Sequence, residues 1–269
     1  DAGGIWFGTT EGLAYLKDDV WKRYAGDYGP AGNIVLSAAV DAHNVKWFGT
    51  TGGLSSFDGA VWKTHTKIDG MIDGMITEIR ADGKTGIWAS GPGGLSRFDG
   101  SSWKTWTAVN GLPGEGVVSM APDRDGVMWL VTDEGAFRYN GNTWENVATG
   151  GSDGLFISVN VDSENLKWFV TTGDIKTYDG NTWMHHSLPD DNPIDTNTPM
   201  IEDRTGGKWF VSAINGVLRF DGNNWKSFGA ADGLESRKIN DLACDRNGII
   251  WASGDNGIWR YDGAAWKKY

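Results

Sequence analysis

The 269-residue sequence is poor in the residue types that announce chemistry. It holds one cysteine, Cys244, so no intrachain disulfide can form. Its four histidines, at 43, 65, 185 and 186, form no Cys/His set with zinc-like spacing, and neither a metal nor a cofactor is expected. No apolar run approaches the roughly 18 residues of a membrane helix, so no membrane span is expected within this chain. Positive charge is in deficit, with 24 Lys and Arg against 35 Asp and Glu and a net charge of −11. Without a basic stripe, nucleic acid is excluded as a partner. Hydrolase signatures are missing too: there is no Gly-x-Ser-x-Gly elbow and no P-loop. Asp123-Arg124-Asp125-Gly126 places its carboxylates one and three residues before the glycine, so it does not match a sialidase-type Asp box. No catalytic residue is assigned.

What the chain has in excess is glycine, 40 residues, and tryptophan, 16. The tryptophans are periodic. One series runs Trp6, Trp47, Trp88, Trp129, Trp168, Trp209, Trp251, at intervals of 39 to 42 residues. A second runs Trp21, Trp62, Trp103, Trp144, Trp183, Trp225, Trp266, with the same spread of intervals. Seven repeats of about 41 residues therefore tile residues 1–269 as one domain, with no linker.

Each repeat reads as short strands between turn signals. A run such as Trp47-Phe48-Gly49-Thr50 leads through glycines to a second run such as Leu95-Ser96-Arg97-Phe98. An Asp-Gly or Asn-Gly pair follows, at Asp58, Asp99, Asn140, Asp179, Asp221 and Asp262, the strongest short hairpin signal. The second tryptophan opens another strand. A loop then leads to an apolar strand that ends in an aspartate six residues before the next Trp: Asp41, Asp82, Asp123, Asp162, Asp203, Asp245. No segment carries a helical period. Four strands per 41 residues predict an all-β fold, a seven-bladed β-propeller with four-stranded antiparallel blades. Only six copies of the innermost strand are present. The first blade is expected to lack its inner strand and expose an edge, and the chain reads as a fragment of a longer protein. Asp1 leads almost at once into patterned sequence, so no signal peptide is read here.

The pattern Asp-x-x-Gly-x-x-Trp-Phe-Gly-Thr-x-x-Gly-Leu-x-x-Phe-Asp-Gly-x-x-Trp resembles the two-component regulator propeller repeat. Trp47-Phe48-Gly49-Thr50, Gly53-Leu54 and Phe57-Asp58-Gly59 carry the resemblance, with Asn110-Gly111-Leu112-Pro113 and Asp232-Gly233-Leu234 as its loop. It covers the whole chain. In that family such propellers commonly form extracytoplasmic, often glycan-responsive sensing parts of membrane histidine kinases, where two successive propellers occur; others stand alone in secreted or surface proteins. The resemblance thus implies a periplasmic or secreted, non-catalytic sensor. This chain departs from the kinase arrangement in having one set of seven repeats, no membrane span and no kinase.

A repeat protein supplies its own control, because a residue type recurring in one column serves packing that every blade needs. The tryptophans, the Asp-Gly turns and the strand-ending aspartates fall in that class, the aspartates bonding amides of the following turn. His65 and His186 stand in an aromatic column with Tyr24, Trp106, Phe228 and Tyr269, and are read as packing. His185 neighbours His186 on the opposite strand face, so the two cannot share a metal. Departures from a column are the functional candidates. Four positions before the strand-ending aspartate the column reads Ser37, Glu78, Ser119, Ser158, Pro199, Asp241; at the strand's start it reads Asn33, Gly74, Glu115, Gly154, Asp195, Arg237. Glu78, Glu115, Asp195, Arg237 and Asp241 are therefore expected to line a polar ligand site at the channel mouth on the loop face. Trp259, in a column otherwise holding Ala14, Ser55, Ser96, Phe137, Lys176 and Leu218, is a candidate sugar-stacking residue. The function expected is binding or sensing of a carbohydrate-like ligand, an oligosaccharide. The alternatives are a protein-interaction scaffold, with another protein as partner, and a polysaccharide lyase or glycoside hydrolase.

Overall fold

The computed structural model describes residues 4–72, 74–84, 86–148, 154–189, 193–195, 200–214, 216–236 and 238–269. They form seven antiparallel sheets, the blades of an all-β, seven-bladed β-propeller. Below, the strands of a blade are a to d in chain order. Two compact units divide the chain, Asp1–Gly150 and Gly151–Tyr269.

The first unit holds blades 1 to 4. Among the described residues, blade 1 has strands b to d only (Ile5–Thr9, Gly12–Lys17, Val20–Tyr24). Blade 2 is Val35–Val40, Lys46–Thr50, Gly53–Phe57 and Trp62–His65. Blade 3 is Glu78–Ala81, Ile87–Gly91, Gly94–Phe98 and Trp103–Trp106; blade 4 is Val117–Pro122, Met128–Thr132, Gly135–Tyr139 and Trp144–Ala148. In the second unit, blade 5 is Phe156–Val161, Lys167–Thr171, Ile175–Tyr178 and Trp183–His186. Blade 6 is Ile201–Glu202, Lys208–Val211, Val217–Phe220 and Trp225–Phe228; blade 7 is Ile239–Cys244, Ile250–Gly254, Gly257–Tyr261 and Trp266–Lys268. The sequence expectation of four-stranded blades, with the first lacking its strand a, holds.

In blades 2 to 7 strand b lies between two neighbours in its sheet and is covered on both faces. That is why it reads as a continuous apolar run rather than an alternation, and why Lys46–Thr50, Ile87–Gly91 and Met128–Thr132 are buried throughout. The first-series Trp lies flat against the aromatic column of its own strand d: Trp47 on His65 (4.8 Å between centroids), Trp88 on Trp106 (5.5 Å), Trp168 on His186 (5.1 Å) and Trp209 on Phe228 (5.1 Å). Within each unit it also meets aromatic rings of the following blade. Trp47 contacts Phe98 and Trp103, Trp88 contacts Tyr139, and Trp209 contacts Tyr261 and Trp266. Offset and edge-on aromatic pairs of this kind add to the area they bury.

The aspartate after strand a fixes the indole. One carboxylate oxygen accepts the Trp Nε1–H at 2.8–3.1 Å: Asp41–Trp47, Asp123–Trp129, Asp162–Trp168, Asp203–Trp209 and Asp245–Trp251. The other accepts two amides of the a–b turn, as Asp123 does from Asp125 and Val127. The amide bonds match the sequence reading; the indole bond was not foreseen. In blade 3 the guanidinium of Arg97 occupies the corresponding oxygen of Asp82, at 3.1 Å. Burial alone would raise the pKa of Asp82, Asp162 and Asp203, but these donors and the neighbouring cations Arg97, Lys208 and Arg219 hold all three below the ordinary carboxylate range.

The Asp-Gly and Asn-Gly pairs close the c–d hairpins. Asp99 accepts the amides of Ser101 and Ser102 at 2.8 Å, and Gly100 sits at φ 100°, which a side chain would strain. Blade 1 has Asp18 and Asp19 there, both at positive φ (49° and 60°).

Replacing Asp123 with alanine removes three hydrogen bonds and strands the buried Trp129 N–H. The expected cost is about 2–4 kcal/mol, read as a lower urea midpoint with an unchanged fluorescence end state.

Candidate functional site

In blades 2, 4, 5, 6 and 7 the loop entering strand a and the turn joining strands b and c lie at one end, tied to each other by hydrogen bonds. The Thr51 amide donates to the Ile34 carbonyl (3.1 Å), the Glu115 amide to Asp133 Oδ1 (3.0 Å) and the Ser236 hydroxyl to Asp255 Oδ1 (2.7 Å). The 3-10 turns after strand d stand at the same end. Gly70, Gly111 and Gly233 close three of them in the left-handed region, and the next residue (Met71, Leu112, Leu234) is buried. This loop shared with the repeat family thus works as a plug.

Strand a enters the sheet through a bulge in four blades. The register shifts between Val35 and Ser37, Val117 and Ser119, Phe156 and Ser158, and Ile239 and Asp241. The column singled out in sequence is therefore the bulge column. Bulges re-aim side chains at sheet ends and occur beside functional sites.

The site candidates fare differently. Glu78 opens strand a of blade 3, but its carboxylate is already engaged: it pairs with Arg80 at 2.7 Å and accepts the Met120 amide of blade 4 at 3.0 Å. Burial pushes its pKa up, with Arg80 and the Met120 amide opposing. Here it acts as a clasp between blades. Glu115 is exposed, its backbone held by Asp133. Asp195 is half-buried and its amide donates to the Val211 carbonyl at 2.8 Å. Asp241 stands exposed at the bulge and accepts the Leu242 amide at 2.9 Å. Arg237 lies outside the described residues. Glu78 and Glu115 belong to the first unit, Asp195 and Asp241 to the second.

Trp259 requires a correction. It is 0% exposed, in the core cluster with Trp209, Phe228 and Trp266, and offers no face to a sugar. Its column is a core column in which Ser55, Ser96 and Leu218 are equally hidden. The rare large residue there is a packing choice.

Two features escaped the sequence reading. On blade 1 a cavity of about 320 Å³ runs from the b–c turn (Thr9, Glu11) along strands c and d (Leu13, Ala14, Arg23) to Trp21 beside the c–d hairpin. Trp21 is 47% exposed, and Glu11 pairs with Arg23 at 3.1 Å. On blade 5, His185 Nδ1 bonds Asp174 Oδ2 at 2.8 Å. These two are eleven residues apart, and only the pairing of Lys176 with His185 brings them together. His186 turns the other way, onto Trp168 and Thr177 Oγ1 (3.0 Å), as strand alternation requires. Among the described residues, no group of three or more His, Cys, Asp or Glu is placed to hold a metal ion. None of their helices is long and apolar enough to cross a membrane.

Residues 111–134 match the family described as two component regulator propeller. Those residues carry the two component regulator propeller repeat. No curated protein matches the chain by sequence. Among solved structures, the extracellular domain of BT4673 from B. thetaiotaomicron, described as a hybrid two component system, superposes with a TM-score of 0.74 at 17% identity. That match covers 99% of this chain and 37% of the other, so the propeller spans well under half of that protein's length. Virginiamycin B lyase from Staphylococcus aureus gives a TM-score of 0.71 at 12% identity, covering 99% and 87% of the two chains. YCF48 bound to D1 peptide gives 0.69 at 17%, covering 98% and 91%. At these identities the likeness establishes the fold.

His65 supplies a pH test of the packing reading. Burial depresses its pKa to about 4, with Lys63 adding to the effect. A histidine lowered from an ordinary 6.5 leaves stability untouched above pH 6.5. Below that, the unfolded chain takes up a proton that the folded chain refuses, and stability falls by about 1.4 kcal/mol per pH unit down to about pH 4. His65→Phe, the residue type of its column mate Phe228, is expected to remove that slope from the difference between wild-type and variant urea curves.

Proposed function

We propose that this propeller is a non-catalytic recognition module that works outside the cytoplasm and takes a polyhydroxylated ligand of the oligosaccharide class at its loop end. One observation carries the reading: the division of labour between scaffold and loop end. Through the blades the recurring aspartates are consumed internally, by indole and amide, and the column departure Glu78 is likewise engaged, by Arg80 and Met120. At the loop end, where the blades differ from one another, Glu115 and Asp241 stay exposed. From that end the blade 1 cavity runs along strand d, past the Glu11–Arg23 pair, to a half-exposed Trp21. An aromatic face with a few charged hydrogen-bonding groups is the chemistry a sugar ring presents itself to. The superposition on an extracellular two component system domain supports the placement outside the cytoplasm and the sensing role. Glu115, Asp195 and Asp241 are the acceptors we assign to ligand hydroxyls in their respective units.

A second reading, a docking platform for another protein, is favoured by the tips of the 3-10 turns. Ile68 of blade 2 and Val109 of blade 3 are 98% and 96% exposed, an unusual placement for apolar side chains.

Calorimetry against a panel of neutral and acidic oligosaccharides, with chromatography of the recovered ligand, tests the proposal. A saturable ligand returned intact is expected, with Trp21→Ala weakening it about tenfold or more, the equivalent of roughly 1.4 kcal/mol. Failure of every glycan to bind, unchanged affinity in both Trp21→Ala and Asp241→Ala, or recovery of a cleaved product would overturn it.

A further inference from the structure

We propose that blade 5 carries a reactive imidazole: Thr171 and Asp174 hold His185 so that its Nε2 is a nucleophile towards an activated acyl group, which makes His185 a site of covalent modification. The site lies wholly within the second unit, and it does not depend on the ligand assigned above.

The first observation is where its residues come from. Two residues before the Trp259 column, every other blade has glycine: Gly12, Gly53, Gly94, Gly135, Gly216 and Gly257. Their φ values lie between 73° and 151°, the region that favours glycine, whereas blade 5 has Asp174 there, outside that region. Two residues after the second tryptophan the column reads Arg23, Thr64, Thr105, Asn146, Ser227 and Lys268, and blade 5 has His185. These two departures meet. Lys176 pairs with His185 across strands c and d, and that register sets the Asp174 carboxylate against the imidazole. Two residues that each leave a packing column and then bond to one another serve each other rather than the scaffold.

The second is how the ring is held. Asp174 Oδ1 accepts the Thr171 hydroxyl at 2.6 Å, and Oδ2 meets His185 Nδ1 at 2.8 Å. The Asp174 amide donates to the same Thr171 hydroxyl oxygen at 3.1 Å. A carboxylate acceptor puts the ring proton on Nδ1 and leaves the lone pair on Nε2. The side chain of Asp174 is 24% exposed and that of His185 57%, so the pair is anchored at its inner end and open at its outer end.

The third is the contrast with the other histidines. His65 and His186 engage Nε2 with Ser56 Oγ and Thr177 Oγ1, at 2.9 and 3.0 Å, and both stack on a tryptophan. His43 is exposed in the a–b turn of blade 2, where its backbone amide, not its ring, bonds Asp41 at 2.9 Å. His185 combines a carboxylate on Nδ1 with an Nε2 that nothing bonds among the described residues.

A nucleophile oriented by a second group, itself held by a third, is the arrangement from which covalent chemistry is built. The Nε2 lone pair forms a bond to the acyl carbon, and the bond from that carbon to its leaving oxygen breaks with its electron pair. The positive charge that develops on the ring lies against the Asp174 carboxylate. The Nδ1 proton then passes through solvent to the released oxygen, which leaves a neutral acylimidazole. The substrate class is an ester or mixed anhydride whose leaving oxygen is a weak base.

Diethyl pyrocarbonate, an activated acyl donor, is the probe. The intact chain is treated in mildly alkaline solution and acylation of each histidine is followed by peptide mass, with His43 as the exposed reference in the same molecule. His185 is expected to react about tenfold or more faster than His43. Nitrogen NMR of the untreated chain is expected to place its ring proton on Nδ1. Asp174→Gly, which restores the residue of the other six blades, should bring the two rates within about twofold of each other. Asp174→Asn, which keeps a hydrogen-bond acceptor without the charge, should fall between. A rate at His185 no higher than at His43, a ring proton on Nε2 in the parent chain, or an unchanged rate in either variant would each overturn the proposal.

Discussion

The structure depends on one repeated bond, the carboxylate after strand a accepting the indole N–H of strand b. A tryptophan ring packed between two blades is an effective spacer only if its orientation is fixed. Stacking alone leaves it free to slide in its plane. The bond removes that freedom, and because the same carboxylate closes the a–b turn, the turn and the ring are set together. Two aromatic contacts follow from the ring's pose: its face meets strand d of its own blade, and its edge meets strands c and d of the next. Blade 3 shows the constraint by exception. There Arg97 takes the carboxylate oxygen and sits 5.5 Å over the Trp88 ring, so a cation–π contact joins the two groups instead.

This explains which parts of the molecule could be read in advance. Fold class, blade number, hairpin turns and the packing role of His65 and His186 were legible because each recurs in a column, and a column is a physical measurement repeated seven times. What was not legible depends on register between segments. Asp174 and His185 meet only through the c–d pairing, and the role of Glu78 is visible only once the Met120 amide of the neighbouring blade is placed against it. Trp259 misled for a related reason. Rarity within a column suggests function only if the column is exposed, and exposure is a property of the fold.

The same reasoning separates what the loop end shows from what the fold alone shows. Superposition on an extracellular domain of a two component system, a lyase and a peptide-bound protein demonstrates that this architecture is shared by proteins of different kinds. The recognition reading therefore rests on particular side chains: the exposed carboxylates at the bulge and loop positions, and the Trp21 cavity of blade 1.

A double-mutant cycle on Asp123 and Trp129, with Asp123→Ala and Trp129→Phe singly and together, measures the bond on which this account rests. The stabilities come from urea unfolding. If carboxylate and indole act as one unit, the two losses are strongly non-additive, with a coupling energy of about 1–3 kcal/mol. Additivity within about 0.3 kcal/mol would show that ring packing alone holds the blades, and would contradict the account.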